Sequence, residues 1–321
     1  RYLAAVTGNP IYATTSEKVF HDLKEIEPPG GLYPFMLGWN GQKQKLKFSN
    51  SQISFGGMGD SFYEYLLKVW IQGGKKESMY REMYDKSMNG LANKLIQKTQ
   101  KEKLTYIAEM RDGVLIHKMD HLACFMGGLL ALGAYTDPGG LGSKRAQRDL
   151  QLAKDITYTC YQMYKRTPSG MAPEIYSFTC GLEDMCPSNA SHYILRPEFV
   201  ESLFVLHHLT GDPTYRQWGW EIFQALEKHC KTDIAYASLK DVMVKNPIKE
   251  DKMESFFLAE TLKYLYLLFD DEGQVDLLEK HVLNTEAHPL RWITDTELQK
   301  LAIQNFDPQK VGPTIVNGEV W

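Results

Sequence analysis

At 321 residues, 43% of them hydrophobic and 24% charged, the chain can bury a large core and is too apolar to be a disordered segment. Its formal net charge of −4 argues against a nucleic-acid binder, whose affinity rests on clustered Lys and Arg neutralising phosphates, and its basic stretches, Lys43 to Lys47 and Lys98 to Lys103, are short. No run approaches the roughly eighteen apolar residues of a spanning helix, and the first residue is Arg1 rather than Met. The chain is therefore expected to be a piece of something longer, touching a membrane only through an anchor outside these residues.

Near the start, Val6-Thr7-Gly8-Asn9-Pro10 reads as a joint between two helices. Gly leaves the first helix left-handed, Asn caps the second and Pro suits its first turn. Residues 32–55 carry a hairpin signal at Asn40-Gly41. Phe62, Leu66, Val69 and Trp70 then form one stripe of a helix running from about Asp60 to a stop at Gly73-Gly74. A second helix is expected from about Glu77 to Gln100, followed by a hairpin around Asp112-Gly113. The same pairing recurs as Met119 to Tyr135 with Lys144 to Lys165, and as Pro197 to Leu209 with Pro213 to Lys231. The last joint, Leu209-Thr210-Gly211-Asp212-Pro213, nearly repeats the first. Ala172 to Phe178 and Tyr236 to Val242 read as short extended pieces, and a final long helix starts near Glu254.

The fold class is all-α: repeated antiparallel helix pairs in a ring or an open solenoid, with short β-ribbons at one end, in a single domain over 1–321. Loops on such a scaffold are where binding chemistry is commonly found. Five cysteines lack the paired spacing of a zinc site. With the acceptor triplet Asn189-Ala190-Ser191 they suggest an oxidising, glycosylating compartment.

Acidic residues recur where helices begin: Asp60 and Glu64, Glu198 and Glu201, Glu254 and Glu260. The helix dipole accounts for any one of them. Glu64, Glu201 and Glu260, however, each sit among large apolar residues, where an unpartnered carboxylate is costly. Converging on one mouth, such acids make a cation site, an acid/base pair of the kind used in glycoside hydrolysis, or both. Phe256 could stack on a sugar face; Trp220 is expected in the core, and His207 and His208 are expected to be surface or core residues rather than ligands.

Six strings, in order over about residues 1 to 292, resemble glycoside hydrolase family 47, the class I α-1,2-mannosidases that trim N-glycans in the endoplasmic reticulum and Golgi. They are Gly59-Asp60-Ser61-Phe62-Tyr63-Glu64-Tyr65-Leu66, Met119-Asp120-His121-Leu122-Ala123-Cys124-Phe125, Pro173-Glu174-Ile175, Leu195-Arg196-Pro197-Glu198, Glu254-Ser255-Phe256-Phe257-Leu258-Ala259-Glu260 and Asn284-Thr285-Glu286-Ala287-His288-Pro289. The resemblance implies an α/α toroid of seven helical hairpins, here lacking its N-terminal hairpins, plugged at one end by a hairpin near the C-terminus. It implies a Ca²⁺-dependent, inverting hydrolysis of terminal α-1,2-mannose from high-mannose N-glycans on glycoproteins, in the lumen of the secretory pathway.

By motif position, Glu198 would be the base that activates water, Asp60 a second catalytic carboxylate and Glu174 a further active-site acid. Thr285 would bind Ca²⁺ directly, with Glu64, Glu201, Glu260 and Glu286 holding its waters. Phe256, Arg196, His121, Glu260, Glu286 and Met58 would face the sugar, and Met58, where family members differ, leans toward a Golgi-like enzyme. Cys124 and Cys160 fall at the family's disulfide; Cys180 and Cys186 are near enough in sequence for a local bridge, leaving Cys230 free. The family's acid is a Glu carried on an N-terminal portion, so the isolated chain is expected to lack a complete acid/base pair. A mannose-binding role without turnover, in glycoprotein quality control, is the alternative.

Overall fold

In a computed structural model, the structure describes residues 1–40, 45–181 and 183–300, with the backbone of 315–316 and 319–320. The helices are α1 (Tyr2–Thr7), α2 (Ile11–Glu25), α3 (Asp60–Gln72), α4 (Ser78–Gly90), α5 (Met126–Tyr135), α6 (Lys144–Lys165), α7 (Glu198–Thr210), α8 (Pro213–His229), α9 (Leu262–Phe269) and α10 (Asp295–Lys300).

Burial sorts them into two layers. Every residue of α5 from Met126 to Ala134 is buried, so this helix has no solvent stripe and is sheathed by α6 and α7. α6 buries one face through Ala146, Ala153, Ile156, Cys160 and Met163 and leaves the other to water. α3, α5, α7 and α9 follow one another as the inner wall, each of the first three backed by an outer partner, α4, α6 and α8. The two repeated joints adopt one geometry: Gly8 and Gly211 are left-handed, at φ 71° and 70°. Asn9 Oδ1 accepts the Ile11 amide at 3.1 Å, and Asp212 Oδ1 accepts the Thr214 amide at 2.9 Å.

Connectivity separates the two ends of the arc. Tight turns run from inner to outer helices, whereas ribbons carry the chain from each outer helix back to the start of the next inner one. The antiparallel ribbons are β1 (Leu37–Asn40) with β2 (Lys45–Phe48), β3 (Ile96–Lys98) with β4 (Thr105–Ile107), and β5 (Glu109–Arg111) with β6 (Val114–Ile116). β7 (Lys118–Asp120) pairs β8 (Ile175–Ser177), which also pairs β9 (Cys186–Pro187); β10 (Ser238–Leu239) pairs β11 (Lys249–Glu250). All of these lie at the end where the inner helices begin. The turn residue Gly41 of the first ribbon lies outside the described residues.

One ribbon enters from the opposite end. β12 (His281–Leu283) and β13 (Pro289–Arg291) are rooted at the exit of α3, where Lys75 Nζ donates to the Leu278 carbonyl and Ile293 N to that of Gln72. Their tip reaches inward, so that Tyr65 and Thr285 hydroxyls meet at 3.2 Å and Lys263 Nζ donates to Ala287 O at 3.0 Å. This is the plug that the resemblance implies.

Three expectations are corrected. The helix from Glu77 does not reach Gln100: it ends at Gly90, loosens into one π-turn over Leu91–Leu95 and becomes β3. Pairing with Thr105–Ile107 outweighs local helical preference there, and Asp184 fixes the connection by accepting from the Thr99 hydroxyl and the Lys101 amide. Met119 and Asp120 are likewise strand, paired with Tyr176 and Ile175, and α5 starts only at Met126 after a 3₁₀ turn. Trp220 is not in the core: it is 50% exposed on α8, against Phe223 and Phe269. At the end of α7, His207 Nδ1 lies 3.0 Å from the Asp212 carbonyl and His208 lies against the Phe204 ring.

Buried polar groups tie the layers. Arg1 bridges Glu17 at 2.7 Å and Glu77 at 2.6 Å, and Tyr80 donates to the same Glu17, so α1 and α2 are clamped to the start of α4. Cys124–Cys160 crosses from the turn before α5 to α6, with Cα atoms 6.0 Å apart. Cys180–Cys186 closes the loop between β8 and β9, and Cys230 is free and buried. Cys160→Ser is expected to cost about 2–4 kcal/mol, read as a lowered urea midpoint against the oxidised parent.

Candidate active site

Asp60 is the first residue of α3. The chain reaches it through Gly59, where a Cβ would stand 2.1 Å from the Ser54 carbonyl oxygen. No side chain fits without moving that backbone. Gly59→Ala is therefore expected to destabilise by about 1–3 kcal/mol and to displace Asp60; a thermal melt beside an activity assay would reveal both. Met58, one residue earlier, is held at φ 75° and is 70% exposed. A non-glycine residue in that region is uncommon and is tolerated where surrounding structure imposes it. Asp60 Oδ1 accepts the Ser61 amide at 2.7 Å. Burial, helped by the charge of Glu198, holds its carboxyl above the usual range.

Glu198 opens α7 in the same way, following Pro197. Its Oε2 lies 2.6 Å from His121 Nδ1, and the other ring nitrogen of this buried histidine lies 2.7 Å from the Tyr164 hydroxyl. The imidazole is thus fixed from both sides. Arg196 grips Glu174, Nε donating at 3.0 Å to each carboxylate oxygen and Nη2 at 2.8 Å, and its Nη1 lies 3.6 Å from Glu198. Its guanidinium also sits 5.8 Å from the centre of the half-buried Phe256 ring. Leu195, just before, is left-handed at φ 67°, and its carbonyl accepts the Thr261 hydroxyl at 2.7 Å. Thr261 closes a π-turn over Phe257–Thr261, a local widening that recurs at functional sites.

A second cluster lies deeper. Lys68, buried, ion-pairs with Glu64 one helical turn away and with Glu201 across the wall at 3.5 Å. The three line a cavity of about 20 Å³, room for roughly one water. Burial pushes Glu201 up to about 8 despite Lys68, with Glu64 and Glu198 adding to the effect. Burial and the charges of Glu201, Glu286, Glu198 and Glu64 push Glu260 up to about 8 as well. Thr285, half-buried, and Glu286, exposed, arrive beside this cluster on the plug. Asn284 Oδ1 accepts the amides of Glu286 at 3.0 Å and His288 at 2.8 Å, and Ala287 is left-handed at φ 55°, which turns the tip.

The structure therefore brings the expected residues into two groups. Asp60, Glu174, Arg196, Glu198, His121 and Phe256 form a rim, while Glu64, Glu201, Glu260, Glu286 and Thr285 form a floor. Met58 stands apart at the edge of an apolar groove lined by Val19, Tyr33, Leu37 and Phe62. Among the described residues, no three His, Cys, Asp or Glu side chains stand together as direct ligands of a metal ion. The floor instead offers a hydroxyl and crowded carboxylates suited to holding a hydrated, oxygen-seeking cation through water. Sequence reasoning missed Lys68, Tyr65 and Tyr164. Lys68 was findable, since it lies four residues after Glu64 on one helix face; Tyr164, in mid-α6, carries no local signal.

The sequence model of glycosyl hydrolase family 47 matches residues 1–292, and the chain belongs to that family. It is 46% identical over 290 residues to the mannosyl-oligosaccharide α-1,2-mannosidase IA of Drosophila melanogaster, covering 90% of this chain and 42% of that one. It is also 46% identical over 303 residues to the mannosyl-oligosaccharide 1,2-α-mannosidase MNS1 of Arabidopsis thaliana, covering 94% and 52%. The solved α-1,2-mannosidase from Trichoderma reesei superposes with a TM-score of 0.79 at 29% identity, over 91% of this chain and 63% of that chain. The chain thus spans about half the length of the curated relatives it matches. Among the described residues no helix is long and apolar enough to cross a membrane.

Proposed function

We propose that the protein hydrolyses terminal α-1,2-linked mannose from high-mannose N-glycans, with inversion, in the lumen of the secretory pathway and there in the Golgi. The observation that carries this reading is the pairing of a rim of fixed carboxylates with a floor of carboxylates pushed toward their protonated forms by burial and by one another.

Glu198 is the base. Its position is set by His121, whose ring is held by Tyr164, so the carboxylate points one way when a water is to be deprotonated. Asp60, whose carboxyl burial and Glu198 hold above the usual range, is the second catalytic carboxylate of the rim, and the proton for the leaving oxygen would come from the Glu that the family carries on its N-terminal portion. Arg196 is immobilised by Glu174 and lies over Phe256, which leaves the free ring face and the remaining guanidinium N–H groups to orient a sugar. Inversion requires room for a water, so the two carboxyl groups are expected roughly 6.5–9.5 Å apart across the bound sugar.

Ca²⁺ is the cation that fits the floor: Thr285 would hold it directly, and Glu64, Glu201, Glu260 and Glu286 would hold its waters. Bound there, it would supply an electrophile for sugar hydroxyls. Lys68 keeps Glu64 and Glu201 aligned.

The test is release of mannose from a high-mannose glycan by the protein at the length its own transcript encodes, followed by NMR of the freshly released sugar. β-Mannose appearing first, and only without chelator, supports the reading. Tight glycan binding with no release would favour a lectin-like role.

A further inference from the structure

Asn189 begins the one Asn-x-Ser/Thr triplet of the sequence, and the middle residue is Ala190 rather than Pro. The residue is exposed, while the backbone on both sides is fixed. Ser188 N donates to Ile175 O at 3.0 Å, Ala190 N to Ser188 Oγ at 3.1 Å, and Ala190 O accepts the Glu174 amide at 3.1 Å. The loop is thus fastened to the first residues of β8, directly beside a rim acid, and Asn189 itself faces water. It lies at the ribbon end of the arc, the end from which Asp60, Glu174 and Glu198 are presented. Two disulfides, Cys124–Cys160 and Cys180–Cys186, are independent marks of an oxidising compartment, the second closing the loop just before the triplet.

We infer that Asn189 carries an N-linked glycan that stands at the approach to the rim and filters what enters by size. In forming it, the Asn189 side-chain nitrogen attacks C1 of an oligosaccharide carried on a lipid diphosphate. The C1–N bond forms as the C1–O bond to the diphosphate breaks; the amide loses one proton and the lipid diphosphate leaves. A branched, hydrated oligosaccharide tethered one residue from the segment that holds Glu174 occupies the approach by excluded volume. It hinders a glycan borne on a bulky protein and leaves a disaccharide free to pass. The filter rests on the proposed mannosidase reading; occupancy of Asn189 does not.

Occupancy is read on the protein secreted from a eukaryotic host, by peptide mapping after enzymatic deglycosylation in heavy-oxygen water. The peptide spanning position 189 is expected to gain labelled aspartate, and an unlabelled Asn189 peptide as the main product overturns the inference. Asn189→Gln and Ser191→Ala each abolish the triplet by different chemistry. Both are expected to lower KM several-fold for protein-borne high-mannose glycans with kcat unchanged, and to leave KM for an α-1,2-mannobioside where it was. Equal responses to the two substrates, or none, overturn the filter while mapping still decides occupancy. Absence of turnover on every substrate removes the enzyme reading and the filter together, with the modification judged separately.

Discussion

Glu198→Gln is expected to lower kcat by about 10²–10⁴, the usual worth of a positioned general base, with KM and melting temperature little changed. The amide keeps the size of the carboxyl and can still accept from His121 Nδ1, which stands 2.6 Å away. It cannot take a proton from water. Because His121 is also held by Tyr164, the ring stays in place and the substitution isolates proton transfer from packing. Tyr164→Phe should act in the same direction but far more weakly, since it frees the ring without removing the base. Turnover of Glu198→Gln within a few-fold of the parent would rule out Glu198 as the base.

The calcium-free protein is expected to lose stability as pH rises from 4.5 to 8, and calcium is expected to reverse that slope. Glu201 and Glu260 are both pushed from an ordinary 4.5 to about 8. In that window the folded state binds more protons than the unfolded one, so the stability these groups contribute is complete below 4.5 and is lost on approaching 8. At about 1.4 kcal/mol per pH unit for each group, and discounting their coupling, the swing is on the order of 5 kcal/mol. A bound cation demands the charged forms, so its affinity rises over the same range and its binding releases protons. Melting temperatures with calcium and with chelator should diverge as pH increases, and titration calorimetry in two buffers of different ionisation heat should count the protons released. Coincident melts with and without chelator across the range would refute the floor as a calcium site.

Much of this was legible in the sequence, for a physical reason. The recurring joint at Gly8 and Gly211 fixes chain reversal through local backbone preference alone, so the helix pairs could be read without tertiary knowledge. Asp60 and Glu198 could be placed because each sits at a helix start, after Gly59 and Pro197, within a string that resembles the family's. What escaped was set by distant partners. Residues 96–98 are strand because residues 105–107 pair with them, and Met119 because Tyr176 does. Tyr164 matters only because the fold carries it to His121, and the sequence bears no trace of that meeting. The half-exposed Trp220 shows the converse: a large aromatic on an outer helix need not find a core.

The inward ribbon also bears on the order of assembly. Tyr65 and Thr285 meet across 220 residues of chain, so the floor is complete only when both ends of that span are in place. Until then Glu64, Glu201 and Glu260 face one another with Lys68 as their nearest counterweight. Contacts of such long sequence separation form slowly, so completion of the floor is tied to the meeting of Thr285 with Tyr65. If the floor holds calcium as proposed, calcium present during synthesis is expected to raise the yield of folded protein.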